Sequence, residues 1–102
     1  MIIMETWTRE EWETVKNNAE KVLYYLYTPI CGTCMVASKM MDVVEVMKQD
    51  IPMGKADLNY IQDVAVDYEI ESVPCLLITE NGVVKEKIYA FQSVPDLLGN
   101  IG

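Results

Sequence analysis

Three cysteines and no histidine carry most of the nucleophilic and soft-metal chemistry open to this chain, and two of them stand together in Cys31-Gly32-Thr33-Cys34. The thiolate, not the thiol, attacks disulfides and binds metals, so the environment that ionises a sulfur decides what it does. Cys31 follows a short apolar run, Val22-Leu23-Tyr24-Tyr25-Leu26-Tyr27, and a Thr28-Pro29 break, and it precedes a segment with helical periodicity. That order is strand, turn, dithiol, helix. The first turn of a helix presents unpaired N–H groups and a partial positive charge, which stabilise an anion. A thiol placed there has its pKa drawn from about 8.5 toward neutrality. Two intervening residues let Cys34 reach back to a mixed disulfide on Cys31 and release the reduced substrate. A structural pair, or half of a zinc site, shares this spacing. Zinc usually takes four Cys or His ligands, whereas the chain offers only Cys75 besides the pair. The pattern therefore reads as redox, with a metal on Cys31, Cys34 and Cys75 as the weaker alternative.

Composition narrows the class further. A chain of 102 residues, 51% of them apolar, is expected to form one domain over residues 1–102 with a single core. Its formal charge of −8 argues against nucleic acid and anionic membranes as partners and reads as a solvated acidic surface. An odd number of cysteines suits a reducing compartment, so the expected location is cytoplasmic. Met1-Ile2-Ile3-Met4 is too short for a signal core and is followed at once by Glu5, and no apolar run approaches the length of a membrane span.

The elements that position the dithiol follow from local pattern. Met1–Met4 is expected to form a short edge strand. Thr8 and Glu11 have capping-box spacing, with Trp7 and Trp12 placed to staple the start of a first helix and Trp12, Val15 and Ala19 on one face. Val22–Tyr27 is apolar throughout and reads as a strand buried on both faces. After the dithiol, Val36, Met40, Val43 or Val44, and Met47 recur at helical spacing and are expected to form the core face of a helix over Thr33–Gln49. Pro52 precedes a parallel strand over Met53–Leu58, joined by a right-handed crossover. Asn59 with Gln62 is expected to cap a short helix with Ile61, Val64 or Ala65, and Tyr68 on one face. Cys75–Thr79 and Val83–Tyr89 flank Asn81-Gly82, the strongest hairpin signal in the chain. A closing helix over Val94–Ile101 opens at Pro95 and Asp96 and is weakened by Gly99. The order is α, β, α, β, α, β, β, α with an extra strand at the start, an α/β fold with a central mixed sheet of four to five strands flanked by helices.

With a CxxC at a strand-to-helix junction, Val73-Pro74 about forty residues later, then a hairpin and a closing helix, the whole chain resembles a thioredoxin. Thr28-Pro29-Ile30-Cys31-Gly32-Thr33-Cys34 is similar to the active-site region of the small thioredoxin-like proteins of Gram-positive bacteria. The resemblance implies a thioredoxin fold, Cys31 as attacking and Cys34 as resolving cysteine, and Val73-Pro74 as a cis-proline loop. It implies a substrate platform of Ile30, Gly32, Thr33, Val73, Pro74, Ala90 and Phe91, with Phe91 open to a core role. The implied activity is reduction of protein disulfides by a monomer that needs no metal or organic cofactor. Electrons would come from a thioredoxin reductase or a low-molecular-weight thiol.

The chain departs from that pattern at several positions. Ile30 and Thr33 stand where the family usually has tryptophan and proline. Thr33 restores a backbone N–H at the helix start, which is expected to stabilise the Cys31 thiolate and make the reduction potential less negative. Tyr25 stands where the family usually buries an aspartate, although Lys55 matches the lysine that often accompanies it. A phenol with a pKa near 10 cannot act as a base at neutral pH. Cys75 follows Pro74 directly and reads as a small buried hydrophobe, with a regulatory thiol as the alternative. Tyr25 and Cys75 also support a second function class, a catalytically weak binding module or thiol sensor.

Overall fold

The computed structural model describes residues 4–102. Its frame is the strand β2 (Lys21–Tyr27), whose five inner residues are all buried, as its unbroken apolar run predicts. Around it the chain runs β1 (Glu5–Thr6), α1 (Arg9–Asn18), β2, α2 (Gly32–Met47), β3 (Met53–Asp57), a 3-10 turn (Leu58–Tyr60), α3 (Gln62–Asp67), β4 (Cys75–Glu80), β5 (Val83–Ile88) and α4 (Val94–Ile101). The five strands form one mixed sheet in the order β1-β3-β2-β4-β5, with β1, β3 and β2 parallel to one another, β4 antiparallel to β2 and β5 antiparallel to β4. Residues 1–3 of the expected first strand lie outside the described residues. The short strand observed, β1, aligns Glu5 with Gly54 and Thr6 with Lys55.

Alternation along β2 divides the core in two. Leu23 and Tyr25 point to the face covered by α2 and α4, where Ala37, Met41, Val44, Leu97 and Ile101 are buried. Val22, Tyr24 and Leu26 point to the face covered by α1 and α3, with Trp7, Trp12, Ile61 and Val64. Each fully buried aliphatic side chain contributes about 1.5–3 kcal/mol relative to exposure, so both faces are strongly held.

Local signals set the ends of most elements. The Thr8 capping box forms, with the Glu11 N–H donating to Thr8 Oγ1 at 3.2 Å and the Thr8 N–H to Glu11 Oε1 at 3.0 Å. Trp7 and Trp12 are both buried and both stack on Tyr24, with centroids 6.2 and 4.7 Å away, so the expected staple is built around that third ring. Asn81 and Gly82 have φ of 52° and 82°, the pair of left-handed residues that a tight hairpin needs. Ser93 caps α4 by accepting the Asp96 N–H at 3.2 Å, with Pro95 in the first turn.

Two expectations are corrected. The buried face of α2 is Cys34, Ala37, Met41 and Val44; of the expected stripe Val44 is buried and Met40 packs against the core, whereas Val36, Val43 and Met47 are 57%, 45% and 58% exposed. Apolar residues at helical spacing lie on more than one side of this helix, and packing against the sheet and α4 decides which are buried. The Asn59–Gln62 cap does not form either. Asp57 instead accepts the Asn59 N–H at 2.9 Å and starts a 3-10 turn, and Ile61 opens α3 with no side-chain cap. The predicted face of α3 survives, with Ile61 and Val64 buried. Several bounds also shift: α2 runs over Gly32–Met47, β3 ends at Asp57 and β5 at Ile88. Among the described residues no helix is long and apolar enough to cross a membrane.

Candidate active site at the start of the second helix

The C-terminal end of β2 delivers the chain to the dithiol. After Tyr27, a turn over Thr28-Pro29-Ile30 closes with the Cys31 N–H on the Thr28 carbonyl at 3.3 Å. Cys31 is the N-cap of α2, in extended conformation, and its sulfur takes the place of a capping oxygen by accepting the Cys34 N–H at 3.2 Å. Thr33 Oγ1 lies 3.4 Å from the same sulfur. No acidic residue occupies the first turn of α2, so nothing there opposes the helix dipole. The two Cα atoms are 5.2 Å apart and the sulfurs are disulfide-bonded. Exposure separates the pair: Cys31 is half-buried, whereas Cys34 is only 3% exposed.

Beside Cys31 runs a shallow groove. The Val73 carbonyl oxygen is 3.8 Å from the Cys31 sulfur, and the Val73–Pro74 peptide is cis. Thr33, Val36, Val73, Pro74, Tyr89, Ala90 and Phe91 line a space of about 440 Å³. Ile30 projects into solvent at 95% exposure, Met35 is 68% exposed, and Gly32 has open space where a Cβ would stand. Phe91 serves both the groove and the core, since it also packs on the Tyr25 ring at 5.8 Å. The structure thus brings Thr33, Val73, Pro74, Ala90 and Phe91 together around one groove beside the dithiol, while Ile30 and Gly32 flank Cys31 in the chain and are not part of the groove's lining.

Tyr25 lies beneath the first turn of α2. Its hydroxyl donates to the Cys34 carbonyl at 3.1 Å and pairs with Ser38 Oγ at 2.9 Å. Burial pushes this phenol's pKa up, partly offset by Ser38, so it stays neutral at neutral pH. Lys55 is its register partner on β3, and both line a small cavity with Tyr27, Ser38, Met41 and Asp42.

Cys75 is elsewhere. It is fully buried on the α1/α3 face of the sheet with Trp12, Tyr24 and Leu77, opposite the face that receives α2. Burial pushes its thiol up to about 12, against the smaller opposing effects of Lys87 and Tyr89. Adjacency to Pro74 in sequence therefore does not bring its sulfur to the dithiol, because strand alternation turns it away. Among the described residues no three His, Cys, Asp or Glu side chains converge as a metal site.

Sequence reasoning missed Tyr89 in the lining of the groove, and Ser38 and Asp42 at the inner cavity. For the last two a signal existed: they follow Cys34 by four and eight residues, on the same side of the helix.

The comparisons agree with this geometry. The Thioredoxin family model matches residues 3–101. The chain is 50% identical over 72 residues, 71% of its length and 68% of the relative's, to the thioredoxin-like protein YusE of Bacillus subtilis (strain 168). It is 24% identical over 83 residues, 81% of this chain and 83% of the relative, to a thioredoxin of Mycoplasmoides gallisepticum. In fold it is similar to mitochondrial thioredoxin 3 of Saccharomyces cerevisiae, with a TM-score of 0.86 at 19% identity over 96% of this chain and 92% of that one. The oxidised thioredoxin of Plasmodium falciparum gives a TM-score of 0.84 at 16% identity, over 97% and 95% of the two chains. A sulfur-capped helix at the end of a central strand, matched along nearly its whole length by one family model, places the chain in the thioredoxin family as a thiol–disulfide oxidoreductase.

Proposed function

We propose that the protein reduces disulfides in other proteins by two-step exchange through Cys31 and Cys34. The observation that carries this is the sulfur of Cys31 at the N-cap of α2, accepting the Cys34 N–H while Cys34 is shielded behind it. In the reduced protein the same N–H and the positive helix end favour the Cys31 thiolate. That thiolate attacks a substrate disulfide, forming a bond from Cys31 to one substrate sulfur and expelling the other as a thiolate. Cys34 then loses its proton and attacks Cys31, releasing the second substrate sulfur. Two electrons pass to the substrate and the Cys31–Cys34 disulfide remains.

An extended substrate segment fits the groove beside Cys31. The backbone of Val73 is placed to pair with it in the manner of strand addition, and Pro74 presents no competing N–H. Ile30, Gly32 and Thr33 from the dithiol loop, and Ala90 and Phe91 from the segment after β5, frame the same face. The protein acts as a cytoplasmic monomer of one domain. A thioredoxin reductase or a low-molecular-weight thiol returns the dithiol to its reduced form, and no metal or organic cofactor takes part.

Insulin reduction by dithiothreitol tests this. Wild-type protein is expected to accelerate it and Cys31→Ser to give no acceleration, with a reduction potential between about −270 and −200 mV. Equilibration with glutathione is expected to place the potential above that of a reference thioredoxin, because Thr33 offers the helix start a donor that proline lacks. A folded but inactive wild type would favour the binding-module or thiol-sensor reading instead, which the buried, neutral Tyr25 supports.

A further inference from the structure

The carboxyl end of β2 separates two hollows, and the exchange proposed above uses one. β4 runs antiparallel to β2 and starts at that end, pairing Cys75 with Leu26, so the groove of Val73, Pro74 and Ala90 lies on the β4 side. On the opposite side the parallel strands β3 and β1 end, and outside them is a second hollow of about 610 Å³. Thr6, Tyr27 and Asp57, the last residues of β1, β2 and β3, all line it. Crevices outside the carboxyl ends of strands are where open α/β sheets bind ligands, and this one has the volume of a small-molecule site. Its walls are aromatic, from Trp7, Tyr27 and Tyr60, and Tyr60 is 86% exposed. Its charge is negative. Arg9 reaches it but is held by Asp63 at 2.8 Å and by Asp67, whereas Glu10 and Asp57 pair with no cation among the described residues. An anion is therefore repelled. A lysine or arginine side chain fits, its stem against the rings and its charge toward the two carboxylates.

We propose that this hollow receives a lysine or arginine of the substrate polypeptide, on the flank of the attacked cysteine opposite the one held in the groove. The site rests on the disulfide reduction proposed above and narrows its substrates to segments with a basic residue near the cysteine. Reach fixes how near. Tyr27 precedes Cys31 by four residues, so their Cα atoms lie no more than about 14 Å apart, which about four residues of extended chain span. By sheet order, β2 and the dithiol that follows it lie between the groove on the β4 side and the hollow on the β3 side. An extended segment crossing Cys31 therefore meets the groove with one flank and the aromatic hollow with the other.

Peptides with one lysine and one cysteine, the latter blocked as its thionitrobenzoate disulfide, test this, because attack by the reduced protein releases a coloured thiolate. The lysine stands three, four or five residues before the cysteine in one set and after it in the other. Composition and net charge are equal, so long-range attraction to the acidic chain is common to both sets. One set is expected to react about five- to tenfold faster than the other in rapid mixing. In the double variant Glu10→Gln, Asp57→Asn the two sets should converge; asparagine keeps an oxygen to accept the Asn59 N–H, so the turn after β3 is retained. Tyr60→Ala should narrow the gap as well. Equal rates from the two sets with wild type, or a gap that survives in the double variant, would overturn the site. Colour from none of the peptides would instead reject the exchange. The affinities of the same peptides with serine in place of cysteine, read by fluorescence anisotropy, would then still decide the site by the same ratio.

Discussion

A buried thiol acts on stability through its proton. Cys75 is fully enclosed and its pKa rises from 9.0 to about 12, chiefly because burial disfavours the thiolate. Above pH 9 the unfolded chain gives up this proton while the folded chain keeps it, so ionisation favours unfolding. The stabilisation is complete below pH 9, declines as pH climbs, and levels off above about 12. Tyr24 and Tyr25, whose phenols burial also raises, add an alkaline loss from about pH 10 onward. In the oxidised protein Cys31 and Cys34 do not titrate, which leaves the interval from pH 9 to 10 largely to Cys75. Urea unfolding of oxidised wild type should lose up to about 1.4 kcal/mol over that interval, and Cys75→Ala should lose clearly less. Equal slopes would mean that the Cys75 thiol ionises as readily inside the fold as outside it.

Elements whose signals are local were legible, and those whose orientation depends on a neighbour were not. The Thr8–Glu11 box, the Asn81-Gly82 turn and the all-buried β2 each carry their cause within a few residues. The helix α2 carries apolar residues on more than one side, and its packing against the sheet and α4, not the period alone, decides which of them are buried. The candidate site divides along the same line. Cys31, Cys34 and the Val73-Pro74 loop follow from spacing and resemblance, whereas Ser38 joins their surroundings only once Tyr25 lies beneath the helix and pairs with it. Gly54 is a third case, an unremarked residue of β3 that proves tightly constrained: a Cβ there would run into the six-membered ring and Cγ of Trp7. Trp7 is held in turn by Tyr24, through stacking and through the Tyr24 hydroxyl on its carbonyl at 2.7 Å. Gly54→Ala is therefore expected to cost about 1–3 kcal/mol and to shift tryptophan emission as Trp7 is displaced. Adding Trp7→Leu should cost less in that background than in wild type, a coupling that thermal melts of the four proteins would measure. Additive losses would show that the strand rather than the indole resists the extra carbon.

At the scale of the whole molecule the charge is lopsided but the reactive face is not. The chain carries −8 in a body of 30 × 27 × 25 Å, yet the groove beside Cys31 is lined by Thr33, Val36, Val73, Pro74, Tyr89, Ala90 and Phe91 with no charged side chain, and the first turn of α2 has no acid. Contact and approach are therefore governed by different forces. Apolar contact at the groove changes little with salt, whereas attraction of a distant substrate depends on the screening length, about 30 Å at 0.01 M and about 8 Å at 0.15 M. At low salt a substrate approaching the dithiol senses nearly the entire acidic body; at physiological salt it senses mainly the neutral face. The kcat/KM for a basic disulfide peptide should thus fall as salt is raised between those limits, and that for an acidic peptide of the same core sequence should rise. With both peptides, kcat should stay constant, because exchange inside the groove involves no long-range charge. Identical salt responses from the two peptides would place recognition wholly in the groove, and the acidic excess would then serve only to keep the surface solvated.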